Sequence, residues 1–200
     1  MKPKSALIHG VGAFALAYTL AGTLAPPAGA MSLIRAGLND LVTANSTIVV
    51  ARVEDATSYW NADATFILTD YRLSTTQVLK GEAEEEITLT LMGGTAGDFT
   101  TLVPGVAQLL PDRSYLLFLR NETLPGTEPV LTVGEHCQGA FDLETRDDGT
   151  WAVSQAAGAA LVPGEDDSDE SADVPGGAKG MSLADLAQAI SALVKQGGDK

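Results

Sequence analysis

Glu135-His136-Cys137 is the one place in this 200-residue chain where reactive side chains stand next to each other. A thiolate nucleophile needs an imidazole base within hydrogen-bond reach. Neighbours on a strand point to opposite faces, so on a strand His136 turns away from Cys137. The pair then reads as a buried apolar thiol beside a surface histidine. A serine triad would also have to use His136, and no G-x-S-x-G elbow occurs. A metal centre asks for several ligands at matched spacing. Beyond residue 30 there is one His and one Cys, so zinc or copper would have to be shared between subunits. No catalytic set, metal or cofactor is expected, and the chain reads as a non-enzyme.

Three other groups invite a chemical reading. The run EDDSDE at 165–170 has the composition of a calcium site but neither the spacing nor the glycine of the helix-loop-helix calcium loop. It reads as a solvated stretch able to hold cations weakly. Tyr59-Trp60 offers rings that could stack on a sugar or a protein partner, or close the end of a barrel. Asp70 and Arg72 share a strand face and would form a surface ion pair worth ~0–1 kcal/mol. Asn45-Ser46-Thr47 and Asn121-Glu122-Thr123 fit glycosylation sequons.

The beginning of the chain looks like an export signal. Lys2 and Lys4 precede an apolar run from Ala6 to Leu24, and Ala28-Gly29-Ala30 supplies the small residues of a cleavage site. Cleavage is expected after Ala30; the alternative is a retained membrane anchor. Residues 1–30 hold two lysines and no acid, so their removal takes the formal net charge from −14 to −16. Such a surface repels nucleic acid and anionic lipid, and no stable membrane insertion is expected once the signal is gone. With Cys137 as the only cysteine there is no internal disulfide, and an exported domain must then be held by its core.

The elements follow from periodicity. Thr65 to Gly81 is the best-patterned stretch. Ile67, Thr69, Tyr71 and Leu73 alternate with Asp70, Arg72 and Ser74, the mark of a half-buried strand. After Thr75 the phase slips and Val78 becomes the apolar residue, which predicts a β-bulge and a bent strand. A short helix is expected over about 32–43, capped by Ser32, and a strand over 46–55 whose Ile48 and Val50 imply a second covered face. Residues 57–64 read as a polar connection. Further strands are expected around Ile87–Leu91, Leu102-Val103, Ser114–Arg120, Pro129–Val133 and Gly139–Thr145, with an Asp148-Gly149 hairpin turn leading to Trp151–Val153. Pro111-Asp112 starts a turn. Residues 156–180 read as an acidic disordered linker. Ser182 caps a last helix with Leu183, Leu186, Ala187, Ile190 and Leu193 on one stripe.

Ile48–Val53, Thr69-Asp70, Val78-Leu79-Lys80-Gly81, Gly93-Gly94, Tyr115–Leu119 and Gln138-Gly139-Ala140-Phe141 occur in an order that resembles a family of exported bacterial proteins of unknown function. That family in turn looks like the oligonucleotide/oligosaccharide-binding type of barrel in netrin modules and tissue inhibitors of metalloproteinases. The resemblance covers about residues 32–153. It implies a small OB-like closed or partly open β-barrel and an export route; with the elements read above, the expected fold is mainly β, with a short N-terminal helix and a C-terminal amphipathic helix. Those inhibitors chelate zinc through an N-terminal cysteine, whereas Met31-Ser32 would stand first here, so no inhibitory residue carries over.

The expected organisation is therefore a signal peptide at 1–30, an OB-like barrel at 31–155, a linker at 156–180 and a helix at 181–200. The expected function is a secreted or periplasmic binding module for an extracellular protein or glycan. Its candidate binding residues are Tyr59, Trp60, His136 and Cys137, with Tyr59-Trp60 and the Gly93–Gly105 loops as the contact region. A netrin-type protease inhibitor and a minor enzyme built on His136 or Cys137 are the alternatives.

Overall fold

The computed structural model describes residues 33–157, 159, 161–162 and 177–197. The proposed signal segment and the 165–170 acidic run lie outside the described residues. The order is β1 (Leu33–Ile34), α1 (Leu38–Ala44), β2 (Thr47–Trp60), β3 (Ile67–Lys80), β4 (Glu86–Met92), β5 (Gly94–Ala96), β6 (Phe99–Thr101), β7 (Ser114–Thr123), β8 (Pro129–Val133), β9 (Ala140–Arg146), β10 (Gly149–Ser154), β11 (Leu161–Val162), β12 (Met181–Ser182) and α2 (Leu183–Gly197).

The main sheet runs β12-β10-β9-β7-β2-β3-β4, and each ladder in it is antiparallel. β7 is central: Leu116 faces Val50 of β2 on one edge and Phe141 of β9 on the other. β8 pairs with residues 119–123 of β7, on the edge that β9 uses further down. The sheet curls until β4 comes alongside β8. No ladder joins those two among the described residues, so the sheet is open, and of the closed or partly open barrel expected the closed form is not seen.

The continuous apolar runs of β2 and β7 have a simple cause, because both faces of the sheet are covered. Val49, Ala51 and Val53 join Leu117, Leu119, Leu73, Leu89 and Leu91 in the concave core. Ile48, Val50, Leu116, Phe118 and Phe141 point the other way, onto Leu41 and Val42 of α1 and Leu186 and Ile190 of α2. The Phe118 and Phe141 rings meet there with centroids 5.8 Å apart. The apolar stripe of α2 is thus spent within the chain, and Ser182 caps the helix as expected, its Oγ accepting from Asp185 N at 3.1 Å.

β3 is bent where the phase slips. Val50 faces Gln77 and Ala51 faces Thr75, which leaves Thr76 as the extra residue. The Thr76 hydroxyl donates to Val50 O at 3.0 Å, satisfying the carbonyl that the bulge disturbs. Beyond the bulge the inward residue is Leu79, packed towards the helices, while Val78 is 41% exposed; the expected orientation of Val78 is corrected. Lys80, the last residue of β3, ties the strand to α1. Its Nζ donates to Val42 O at 2.5 Å and Asn45 O at 2.6 Å, closing the C-terminus of α1, where cations are favoured. Lys80→Met is expected to cost about 2 kcal/mol, the worth of charge-assisted bonds, read as an earlier urea midpoint at unchanged slope.

Several boundaries differ from expectation. The first helix starts only at Leu38, because Gly37 caps it, with its N–H donating to Asp40 Oδ2 at 3.0 Å. Leu33-Ile34 ahead of it pairs in parallel with Leu161-Val162. β2 runs on to Trp60, so residues 57–60 are strand and not connection; Thr, Tyr and Trp all suit a pleated surface. Leu102 is in no strand and is 82% exposed, the short hairpin β5–β6 lying just before it. The β9–β10 turn is Asp147-Asp148, with Gly149 at φ +133° opening β10 opposite Arg146. In the stretch read as a linker, Ala156 is buried and residues 177–179 form a 3-10 turn, while 163–176 lie outside the described residues.

Candidate functional site

The candidate binding residues divide between two places. Tyr59 and Trp60 end β2 at one rim of the sheet. The hairpin that follows is set by Asn61, which is buried. Its Oδ1 accepts from Thr65 N at 2.8 Å and Phe66 N at 3.1 Å, and its Nδ2 donates to Pro125 O at 2.9 Å. One side chain thus closes the β2–β3 turn and ties it to the β7–β8 loop. Deeper in, Thr69 Oγ1 donates to Gly93 O at 2.7 Å, which leaves Ser58 Oγ to donate to Thr69 Oγ1 at 2.8 Å. Gly94 follows at φ +122°, and a Cβ there would overlap both hydroxyls. Glycine therefore lets the β5–β6 hairpin cross close over β2.

That crossing brings Phe99 to Trp60. The two rings meet edge to face, with centroids 5.7 Å apart and planes at 70°, the geometry that aromatic quadrupoles favour. Trp60 and Phe66 remain 40% exposed and Phe99 63%, so the contact leaves a substantial part of each ring facing water. Tyr59 supplies a polar flank. Its hydroxyl donates to Asp70 Oδ1 at 3.0 Å, and Thr90 Oγ1 donates to the same oxygen at 2.7 Å. Burial, and next the Asp70 carboxylate, push the Tyr59 phenol up. Asp70 is thereby committed to Tyr59 and Thr90, and the expected pair with Arg72 is absent among the described residues.

His136 and Cys137 lie elsewhere, in a 3-10 turn (His136–Gly139) between β8 and β9, not on the expected strand. Glu135 and His136 both take left-handed backbone, at φ 52° and 59°, a conformation that costs non-glycine residues about 1–3 kcal/mol. Arg120 Nη1 holds Glu135 Oε1 at 2.5 Å, and Cys137 N donates to Gly105 O at 2.8 Å. His136 is exposed while Cys137 is buried, so the turn separates them as a strand would. Burial pushes the Cys137 thiol up, away from the thiolate that nucleophilic chemistry needs. Gln138 explains the turn better than catalysis does. Its amide accepts from Ala36 N at 2.9 Å and donates to Ile34 O at 2.8 Å, clamping β1 as a strand neighbour would. Gly134 completes the turn: a Cβ there would overlap Asn45 Oδ1.

Of the two sequons, Asn45 is fully buried, with its amide donating to Leu41 O at 2.8 Å, and Asn121 is exposed on β7. Among the described residues there is no cluster of three metal-ligating side chains, and no helix is long and apolar enough to cross a membrane. Phe99 and Phe66 are the members of the aromatic rim that local sequence reasoning missed. The available signal was an isolated aromatic inside a glycine-rich segment. Compared with protein-family models and with curated proteins, the chain matches none.

Proposed function

We propose that this protein is an exported, non-catalytic recognition module that meets an extracellular protein or glycan through the rim carrying Tyr59, Trp60, Phe66 and Phe99. The observation that carries the reading is the exposed Trp60–Phe99 pair on two hairpins locked by Asn61 and Gly94. Preorganised aromatics with solvent-facing surface are the anchors of interfaces, and the rigid hairpins reduce the ordering cost of binding. The fold reading is a partly open OB-like barrel; β8 and β9 sharing one edge of β7, and β4 curling towards β8, support it. The basic-then-apolar start of the chain and its small-residue site support export, to the periplasm or beyond. The acidic balance disfavours nucleic acid and anionic membranes as partners.

The test is capture from the exported fraction of the native source on immobilised protein, and on a glycan array, with wild type and a Trp60→Ala/Phe99→Ala variant side by side. A ligand held by the wild type and lost by the folded variant supports the reading. A ligand held equally by both contradicts it. Mature protein is also expected to leave a panel of metalloproteases uninhibited at micromolar concentration; inhibition would replace this reading with the inhibitor one.

A further inference from the structure

A second region has the form of a small-molecule site. Between β7, β9 and the loop before β7, a cleft of about 880 Å³ opens on the concave side, within the ~300–1,000 Å³ range of ligand pockets. Its walls are largely apolar, from Leu33, Val106, Leu110 and Ala157. They are also stitched in place. Gln108 N donates to Gln155 Oε1 and Gln155 Nε2 donates to Gln108 O, both at 2.8 Å. Cys137 N reaches Gly105 O on the same loop.

Two polar groups face each other across the β7–β9 ladder, Tyr115 and Asp142. Tyr115 Oη accepts from Leu110 N at 2.9 Å, so its own proton is free to donate. Among the described residues, Asp142 is the one charged side chain lining the cleft. Arg113 stands near enough to be felt, yet it is exposed and does not line the cleft.

We propose that this cleft binds a small amphiphilic amine, its hydrocarbon body against Leu33, Val106, Leu110 and Ala157 and its ammonium on the Asp142 carboxylate. An anion would meet Asp142 with no cation among the described residues of the cleft wall, and a neutral alkyl compound would leave the carboxylate unpaired as it lost water. The strongly negative protein concentrates cations at its surface. The site is separate from the aromatic rim and does not depend on it.

The charge state of the site follows from its surroundings. Burial pushes the Asp142 carboxyl up; the Arg113 charge and then the Gln155 amide pull it back, and Glu144 pushes it further. Tyr115 is raised by burial first, and Asp142 and Arg113 act on it in opposite senses. The Cys137 thiol, also raised by burial, stays uncharged. A bound ammonium favours the ionised carboxylate. Binding should therefore strengthen as pH rises through the Asp142 titration and hold until the amine itself deprotonates, near ~10 as for a lysine ammonium.

The test uses heptylamine, heptanol and heptanoate as probes on the purified protein, followed by calorimetry and by shifts of the Tyr115 ring signals. The amine is expected to bind at least about tenfold more tightly than the alcohol, and the carboxylate most weakly. Asp142→Asn should erase the amine's advantage over the alcohol, whose own binding holds or tightens once no carboxylate is left unpaired. Ala157→Trp, which fills the cleft from its rim, should weaken all three, so the site stays testable if either variant is poorly folded. Heptanoate binding as tightly as heptylamine, an amine affinity unchanged in Asp142→Asn, or no Tyr115 shift with any probe at millimolar concentration would overturn the proposal.

Discussion

Leu186→Ala combined with Ile190→Ala is expected to bring the protein close to its unfolding threshold. Both side chains are fully buried against the outer face of the sheet, in one cluster with Ile48, Phe118 and Phe141. Truncating a buried Leu or Ile costs about 2–5 kcal/mol, and domains have only about 5–15 kcal/mol in total. The two sites are one helical turn apart and share a cavity, so the losses should couple and not simply add. Urea unfolding followed by tryptophan fluorescence and by far-ultraviolet circular dichroism should show a much earlier midpoint by both probes. Gln188→Ala, on the exposed face of the same helix, should leave the midpoint within a few tenths of a kcal/mol, since surface changes usually stay within ±0.5. An unshifted midpoint in the double variant would mean that α2 does not cover the sheet.

The second large effect concerns recognition. Trp60→Ala with Phe99→Ala should cost partner binding about 2–4 kcal/mol, the loss typical of an interface anchor, which is roughly a thirtyfold to thousandfold drop in affinity. Stability should hardly move, because both rings are substantially exposed and the hairpins beneath them are fixed by Asn61, Thr69 and Gly94. Tyr59→Phe separates ring from hydroxyl. It keeps the aromatic surface, removes the donor to Asp70 and should change binding far less. A double variant that binds normally would leave the rim without a role.

Local pattern carried the strand content and the two covered faces well. The alternation along β3 and its slip after Thr75 correspond to the bulge at Thr76. Unbroken apolar stretches such as Ile48–Val50 and Leu116–Phe118 correspond to a sheet buried on both sides. What escaped has physical reasons. Thr57 and Ser58 look like loop residues in isolation, but a paired edge with one wet face tolerates them, and β2 continues to Trp60. After a bulge, two adjacent apolar residues compete for the inward position, and period-2 reasoning chose Val78 where packing chose Leu79. His136 and Cys137 do divide between surface and interior, as neighbours on a strand would, but the cause is a left-handed step into a 3-10 turn. The rim itself depends on a contact between residues 60 and 99. No local period encodes such a contact; it exists because Gly94 allows one hairpin to cross another.

Hydrogen exchange of the protein with and without its captured partner tests the central claim most directly. Slowed exchange should be confined to amides of residues 59–66 and 94–102, the two hairpins that carry the aromatic rings. Slowed exchange centred on residues 135–139, or spread over the sheet with those hairpins unchanged, would contradict it.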